Sequence, residues 1–267
     1  MEEVRIGHLT KFYDYKFKEG YAFAGHTHEA WELNIVLEGR MSVTYGGDVM
    51  TLSQGDFFIG EPWGFHCNRA LGNGVHMAVI HFTESNIPTG KGSGYSVRTL
   101  CEDELSAARL MIGELSGLFD VSGEPTASEE SLANARKLCE VLVSRVIGSG
   151  GVPQSENSSP RAGIYREAIR FMEENVHTSL TVSDISRALH VSPALLKRVF
   201  LEYTGGGVMS CFTLMRIRLA RRMLERGDGV TLVSDTLGFS SGCYFSTVFG
   251  KIVGETPKSY QKRHLNR

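Results

Sequence analysis

The chain has 267 residues, with 28 Lys and Arg against 30 Asp and Glu, and a net charge of −2 that argues against a nucleic-acid binder only until it is divided. Residues 161–267 carry 16 basic and 9 acidic side chains, a net +7, whereas residues 1–160 carry 12 and 21, a net −9. Cys67, Cys101, Cys139, Cys211 and Cys243 form no Cys-x-x-Cys pair, so neither a disulfide framework nor a thiolate zinc site is indicated; no apolar run reaches the roughly 18 residues of a membrane span and no leader-like pattern opens the chain, which predicts a cytoplasmic protein.

From Val4 to Phe82 short alternating runs predict strands: Val4 and Ile6, Phe12 to Phe17, Leu33 to Glu38, Met41 to Tyr45, Met50 to Leu52, Phe57 to Ile59, and Val75 to Phe82. Gly39-Arg40, Gly46-Gly47 and Ser53-Gln54-Gly55 mark turns between them. Many short strands with regular turns predict a sandwich or barrel. The spacing of Gly20, His26, His28, Glu32 and Gly39 resembles the first motif of cupin barrels, and Gly55, Pro62, Gly64 and His66 resemble the second, with one residue extra before the proline and one missing before the histidine.

In enzymatic cupins the matched residues hold a metal, and His26, His28, Glu32 and His66 have donors suited to Fe, Mn, Ni or Zn. The alternative is that they are polar residues of the barrel mouth with no metal or other cofactor. A small-molecule site is expected there, formed by His26, His28, Trp31, Glu32, Tyr45, Trp63 and His66, which mix aromatic surface with converging polar groups.

The periodicity then becomes helical. Leu105, Ala108, Leu110 or Met111, Leu115 and Leu118 form one stripe within 102–119; Leu132, Ala135, Leu138, Leu142 and Ile147 form another within 127–148. Ser122-Gly123-Glu124-Pro125 separates them, which predicts an antiparallel helix pair. Residues 148–163, rich in glycine, serine and proline, read as a linker between a 1–147 domain and a 164–267 domain.

One helix-turn-helix pattern occurs twice between Leu180 and Lys262. Thr181 and Asp184 form a capping box ahead of Val182, Ile185, Ala188 and Leu189; Ser192-Pro193 then opens a second helix with Leu196, Val199 and Phe200 inward, stopped by Gly205. About 48 to 49 residues later Val230, Val233, Thr236 and Leu237 repeat the first helix, and Ser241, Phe245, Val248, Phe249 and Gly254 repeat the second, with a one-residue slip at Gly238-Phe239. Between the copies, Phe212, Met215, Leu219 and Met223 predict a helix over Val208 to Arg226, roughly 28 Å long. That is close to the roughly 34 Å between successive major-groove faces.

These residues, with Leu196-Lys197-Arg198-Val199-Phe200, Arg216-Ile217-Arg218-Leu219-Ala220, Gly238-Phe239-Ser240 and Gly254-Glu255-Thr256-Pro257-Lys258-Ser259-Tyr260, resemble the paired DNA-binding region of AraC-type transcription regulators over about a hundred residues. The resemblance implies an α+β two-domain protein: a cupin-like β-barrel with a helix pair, then an all-α double helix-turn-helix. It also implies a homodimer through the helix pair, and a non-enzymatic regulator whose partners are double-stranded DNA, a small-molecule effector and RNA polymerase. Ser192, Ala194, Leu195, Lys197 and Arg198 are then the reading residues of the first unit, and Ser241, Gly242, Cys243, Tyr244, Ser246 and Thr247 those of the second. Thr247 and Gly250 stand where the family usually carries basic residues. A metal-dependent cupin enzyme with a DNA-binding appendage, or a constitutive DNA binder with an inert barrel, are the alternatives.

Overall fold

A computed structural model describes residues 3–89, 94–149 and 159–265. The chain forms two compact units, Met1–Asn157 and Ser158–Arg267.

In the first unit β1 (Leu9–Phe17), β2 (Ala22–His26), β3 (Trp31–Tyr45), β4 (Asp48–Ser53), β5 (Asp56–Gly60), β6 (His66–Phe82) and β7 (Tyr95–Thr99) pair antiparallel. The two long strands β3 and β6 pair along their whole length. The first half of β3 lies against the second half of β6 in the order β1-β6-β3-β5-β7, while the remaining halves carry β2 and β4. The predicted turn at Gly39-Arg40 is a kink inside β3, so two expected strands are one. Gly39 has φ 77°, and a Cβ there would lie 2.1 Å from the Gly74 carbonyl oxygen, an approach only glycine permits. The turns at Gly46-Gly47 and Gln54-Gly55 form as predicted.

Alternation along these strands feeds two cores. Val36, Met41, Val43, Tyr45, Leu52 and Met77 pack together among the strands. Leu33, Ile35, Leu37, Ala78 and Ile80 point the other way, beneath α1 (Glu102–Ser116) and α2 (Glu129–Ser149). The helix pair buries Ala108, Met111, Ile112 and Leu115 on α1, and Ala135, Cys139, Leu142, Val143 and Val146 on α2. Of the two residues offered for the first stripe, Met111 is buried and Leu110 is 75% exposed; Leu138, placed in the second stripe, is 47% exposed, because the buried row of α2 runs through Cys139 one position on.

The second unit comprises α3 (Pro160–Glu174), α4 (Val182–Ala188), α5 (Pro193–Thr204), α6 (Val208–Glu225), α7 (Val230–Thr236), α8 (Gly242–Val253) and α9 (Pro257–Leu265). Helix α3 is absent from the sequence reading, although buried Ala162, Tyr165, Ala168, Ile169 and Met172 carry its helical spacing. The segment read as a linker, 148–163, is helical at both ends, where α2 runs to Ser149 and α3 starts at Pro160; residues 150–158 lie outside the described residues.

The repeat is followed bond for bond. Val191 N donates to Ser186 O at 3.0 Å and Phe239 N to Ser234 O at 3.1 Å; His190 and Gly238 both take the left-handed conformation, φ 55° and 63°. Gly238 is thus the counterpart of His190 and Phe239 that of Val191. The extra residue of the second copy is Ser240, one position later than the sequence pattern suggested.

Candidate barrel pocket and nucleic-acid interface

Glu32 and Asn34 share the inward face of β3 and are 5% and 1% exposed. A buried carboxylate needs partners on both oxygens, and Glu32 has them. Asn34 Nδ2 donates to Oε1 at 2.7 Å; His28 Nε2 and His81 Nε2 lie 3.0 and 2.9 Å from Oε2, and His66 Nε2 makes an ion-pair contact with it at 3.3 Å. His66 Nδ1 faces the Gly64 carbonyl at 3.0 Å, which can only accept, so that nitrogen carries its hydrogen.

The electrostatics follow from this crowding. Burial by itself would raise the Glu32 carboxyl, but the His66 charge and the hydrogen bonds of His28, His66 and His81 outweigh it and hold the group well below the usual carboxylate range. Burial would lower His66, and the Glu32 charge overrides that and raises it. His26 has no such partner. Burial, then the neighbouring His66 and His28, push it down to about 3, so it is a neutral imidazole.

Above this cluster opens a cavity of about 400 Å³. Tyr13, Tyr15 and Phe17, on alternate positions of β1, form one wall, with Tyr13 stacked on Tyr15 at 5.0 Å and Phe17 on Tyr21 at 3.8 Å; Phe23, Asn68, Met77 and Val79 also line it. Lys11 reaches the cavity but is paired with Glu124. Of the predicted pocket residues, His26, His28, Glu32 and His66 line it and three do not. Trp31 neighbours Glu32 and therefore faces the opposite side of β3, stacked on Phe82 at 6.2 Å. Tyr45 is buried behind His66, its hydroxyl donating to Glu61 O at 3.1 Å. Trp63 lies in the turn after β5, its backbone N–H donating to His28 O at 2.7 Å.

The sequence reading missed His81 and the aromatic wall. The period-two run Lys11, Tyr13, Tyr15, Phe17 carried the signal for the wall; His81 had none, because its register against Glu32 comes from β3–β6 pairing.

One ligand atom from each of His26, His28, Glu32 and His66 lies within 4.8 Å of the others. The buried His28 Nδ1 has no hydrogen-bond partner, as expected of a group awaiting a further ligand. Three imidazoles and a carboxylate suit a divalent transition metal.

In the second unit both second helices start on a serine cap: Ser192 Oγ accepts from Leu195 N and Ser241 Oγ from Tyr244 N, each at 3.1 Å. On α5, Leu196, Val199 and Phe200 are fully buried, while Ala194, Lys197 and Arg198 are exposed and Leu195 is half-buried. On α8, Phe245 and Phe249 are buried; Gly242, Cys243, Tyr244 and Thr247 are exposed and Ser246 half-buried. The Thr247 hydroxyl donates back to Cys243 O at 3.0 Å. The first face is basic; the second carries no charge over these positions.

Residues 185–263 match the helix-turn-helix domain family and residues 14–83 the cupin domain family. The chain is similar to the HTH-type transcriptional regulator GlxA of Rhizobium meliloti (strain 1021), 28% identical over 48% of this chain and 41% of that protein. It is also similar to the Msm operon regulatory protein of Streptococcus mutans serotype c, 20% identical over 94% of this chain and 91% of that one. Among solved structures, ToxT from Vibrio cholerae O395 aligns over 98% of both chains with 13% identity and a TM-score of 0.40.

Proposed function

We propose, from the premise that the chain is an AraC-type transcription regulator with an N-terminal cupin domain, that it binds specific double-stranded DNA through two unequal reading heads under control of a small molecule in the barrel cavity. The observation that carries this reading is the repeated helix-turn-helix on a unit of net charge +7, with Lys197 and Arg198 exposed on the first recognition helix. In this reading α5 supplies most of the base discrimination and α8 reads shape and methyl groups. The cavity offers a Glu32–His66 ion pair, a neutral His26, an amide and tyrosine hydroxyls, but no unpaired cation among the described residues that line it, which favours an uncharged effector with an apolar body. The exposed Leu110, Leu138 and Val141 on the outer faces of α1 and α2 support a homodimer through the helix pair. The protein then works in the cytoplasm with RNA polymerase and catalyses no reaction.

Binding-site selection from a random duplex library, with and without candidate effectors, tests the reading. Recovery of a two-part motif whose occupancy changes with an effector is the expected result, and failure to enrich any motif overturns it. A second reading, that the base of the cavity holds a metal, is favoured by the orphaned His28 Nδ1 beside three further donors within 4.8 Å of one another. A bound ion would supply a Lewis-acid contact for the effector; its test is metal analysis of the purified protein.

A further inference from the structure

We propose that Arg216 sets the distance and angle between the two reading heads, so that one guanidinium determines which spacing of half-sites the protein accepts; this rests on reading the second unit as a two-headed DNA binder. Arg216 projects from the connecting helix α6. It is half-buried, and its three nitrogens go to carbonyls on both sides. Nε donates to Val176 O at 3.2 Å and Nη2 donates to Thr178 O, both in the segment that leads into α4. Nη1 donates to Gly238 O at 3.4 Å, in the turn between α7 and α8. The same guanidinium lies 4.3 Å from the Phe212 ring centroid and 5.6 Å from that of Phe239, the residue after that turn.

The entry to the first helix-turn-helix and the turn of the second are therefore fastened to one planar group. A second tie runs beside it, His177 Nδ1 donating to Thr236 O at 3.1 Å. The turn itself is shaped for this approach: a Cβ on Gly238 would lie 3.2 Å from His177 O and 3.3 Å from Arg216 Nη2. No other cation substitutes for the fork, since an ammonium cannot address three carbonyls in a plane. Each helix-turn-helix has its own buried core residues, Leu196, Val199 and Phe200 in one and Val233, Phe245 and Phe249 in the other. Loss of the fork thus loosens the joint and leaves both heads folded.

The test uses the full-length protein and the two-part site that it selects from a random duplex library. Affinity is measured on that site, on variants with one base pair inserted or deleted between the halves, and on a duplex holding the first half alone. Each inserted pair displaces the second half by about 3.4 Å and about 34°. The wild type should lose about tenfold on the altered spacings, the effect of one mismatched pair. Arg216→Met and Arg216→Lys should bind the half-site duplex as the wild type does, yet discriminate among spacings by no more than about threefold, with weaker binding to the selected site. An unchanged spacing profile in a variant that still binds the half-site duplex overturns the assignment. Loss of half-site binding in both variants overturns it too, because Arg216 would then maintain a head and not the joint. A wild type that enriches no two-part site sinks the underlying reading of the unit.

Discussion

At the scale of single residues, the two recognition helices differ by charge, and the difference is measurable. A good bidentate contact to a base is worth about 1–3 kcal/mol of discrimination. Arg198→Ala should relax preference at one or two base positions, while Thr247→Ala, whose hydroxyl already returns to Cys243 O, should leave the selected motif unchanged. A selection in which Thr247→Ala rewrites the motif and Arg198→Ala does not would reverse the assignment. Glu32 is the corresponding residue of the barrel. Removing it leaves His66 buried without its counter-charge, and breaking a buried pair costs about 3–5 kcal/mol. Both tryptophans, Trp31 and Trp63, belong to the first unit, so their fluorescence during urea unfolding reports on it alone; Glu32→Ala should shift that transition to lower urea. The pH dependence has two limbs. Glu32 is depressed in the fold, so its contribution is present above the unfolded carboxyl value and is lost as pH falls through the folded one. His66 is raised, so its contribution is full below the unfolded imidazole value and is lost as pH rises through the folded one. His26 and His28 are depressed by burial, so what they contribute is present above the unfolded imidazole value and lost as pH falls below it; metal-free wild type should therefore be most resistant to urea near that value, at about pH 6.5, and Glu32→Ala should weaken the loss above it.

At the scale of elements, the caps and the repeat were the most legible features, because both are local. Thr181 with Asp184, Ser192 with Pro193, and the αL stops at Gly205 and Gly254 all act within one turn of chain, and each forms as its residues dictate. Ser192→Ala should lower the stability of the second unit by about 1 kcal/mol. The repeat adds a sharper case. His190 holds φ 55° where its counterpart is glycine, and a left-handed non-glycine residue costs about 1–2 kcal/mol, partly offset by the greater unfolded freedom of glycine. Thermal unfolding should thus show His190→Gly as stabilising by up to about 1 kcal/mol and Gly238→Ala as destabilising; a destabilised His190→Gly would mean the imidazole makes up for its strain. What escaped the sequence is set by long-range pairing. Nothing within a few residues distinguishes a kink at Gly39 from a turn, because the Gly74 carbonyl that excludes a side chain is 35 positions away in the chain. Likewise Trp31 looked like a pocket residue until the alternation of β3 put it on the helix side, and His81 came to Glu32 only through strand register. The four candidate donors His26, His28, Glu32 and His66 were legible as a motif, but their convergence required the β2–β6 and β3–β6 ladders.

At the scale of the whole molecule, the division of charge at the boundary between the two units predicts separable behaviour. Residues 158–267, which include α3, should bind duplex DNA without the barrel. With at least about four phosphates neutralised, affinity should fall about a hundredfold between about 50 and 200 mM salt; a salt-independent titration would rule out the phosphate contacts. Leu138→Asp with Val141→Asp should shift the full-length protein toward monomer in sedimentation, with no change in its urea midpoint, because both side chains stand outside the core. The two-faced strand β3 has a thermodynamic consequence of its own. Glu32 meets the cavity on one face, with Asn34 bonded to it from below, Leu33, Ile35 and Leu37 lie under α1 and α2 on the other, and Arg109 of α1 is tied to the Leu37 carbonyl at 2.7 Å. In the proposed dimer, cavity occupancy and helix-pair association draw on one shared element, and free-energy coupling of that kind is reciprocal: whatever factor the effector applies to dimerisation, dimerisation must apply to effector affinity. Effector affinity should therefore depend on protein concentration, changing across the dimerisation midpoint by the same ratio by which the effector moves that midpoint.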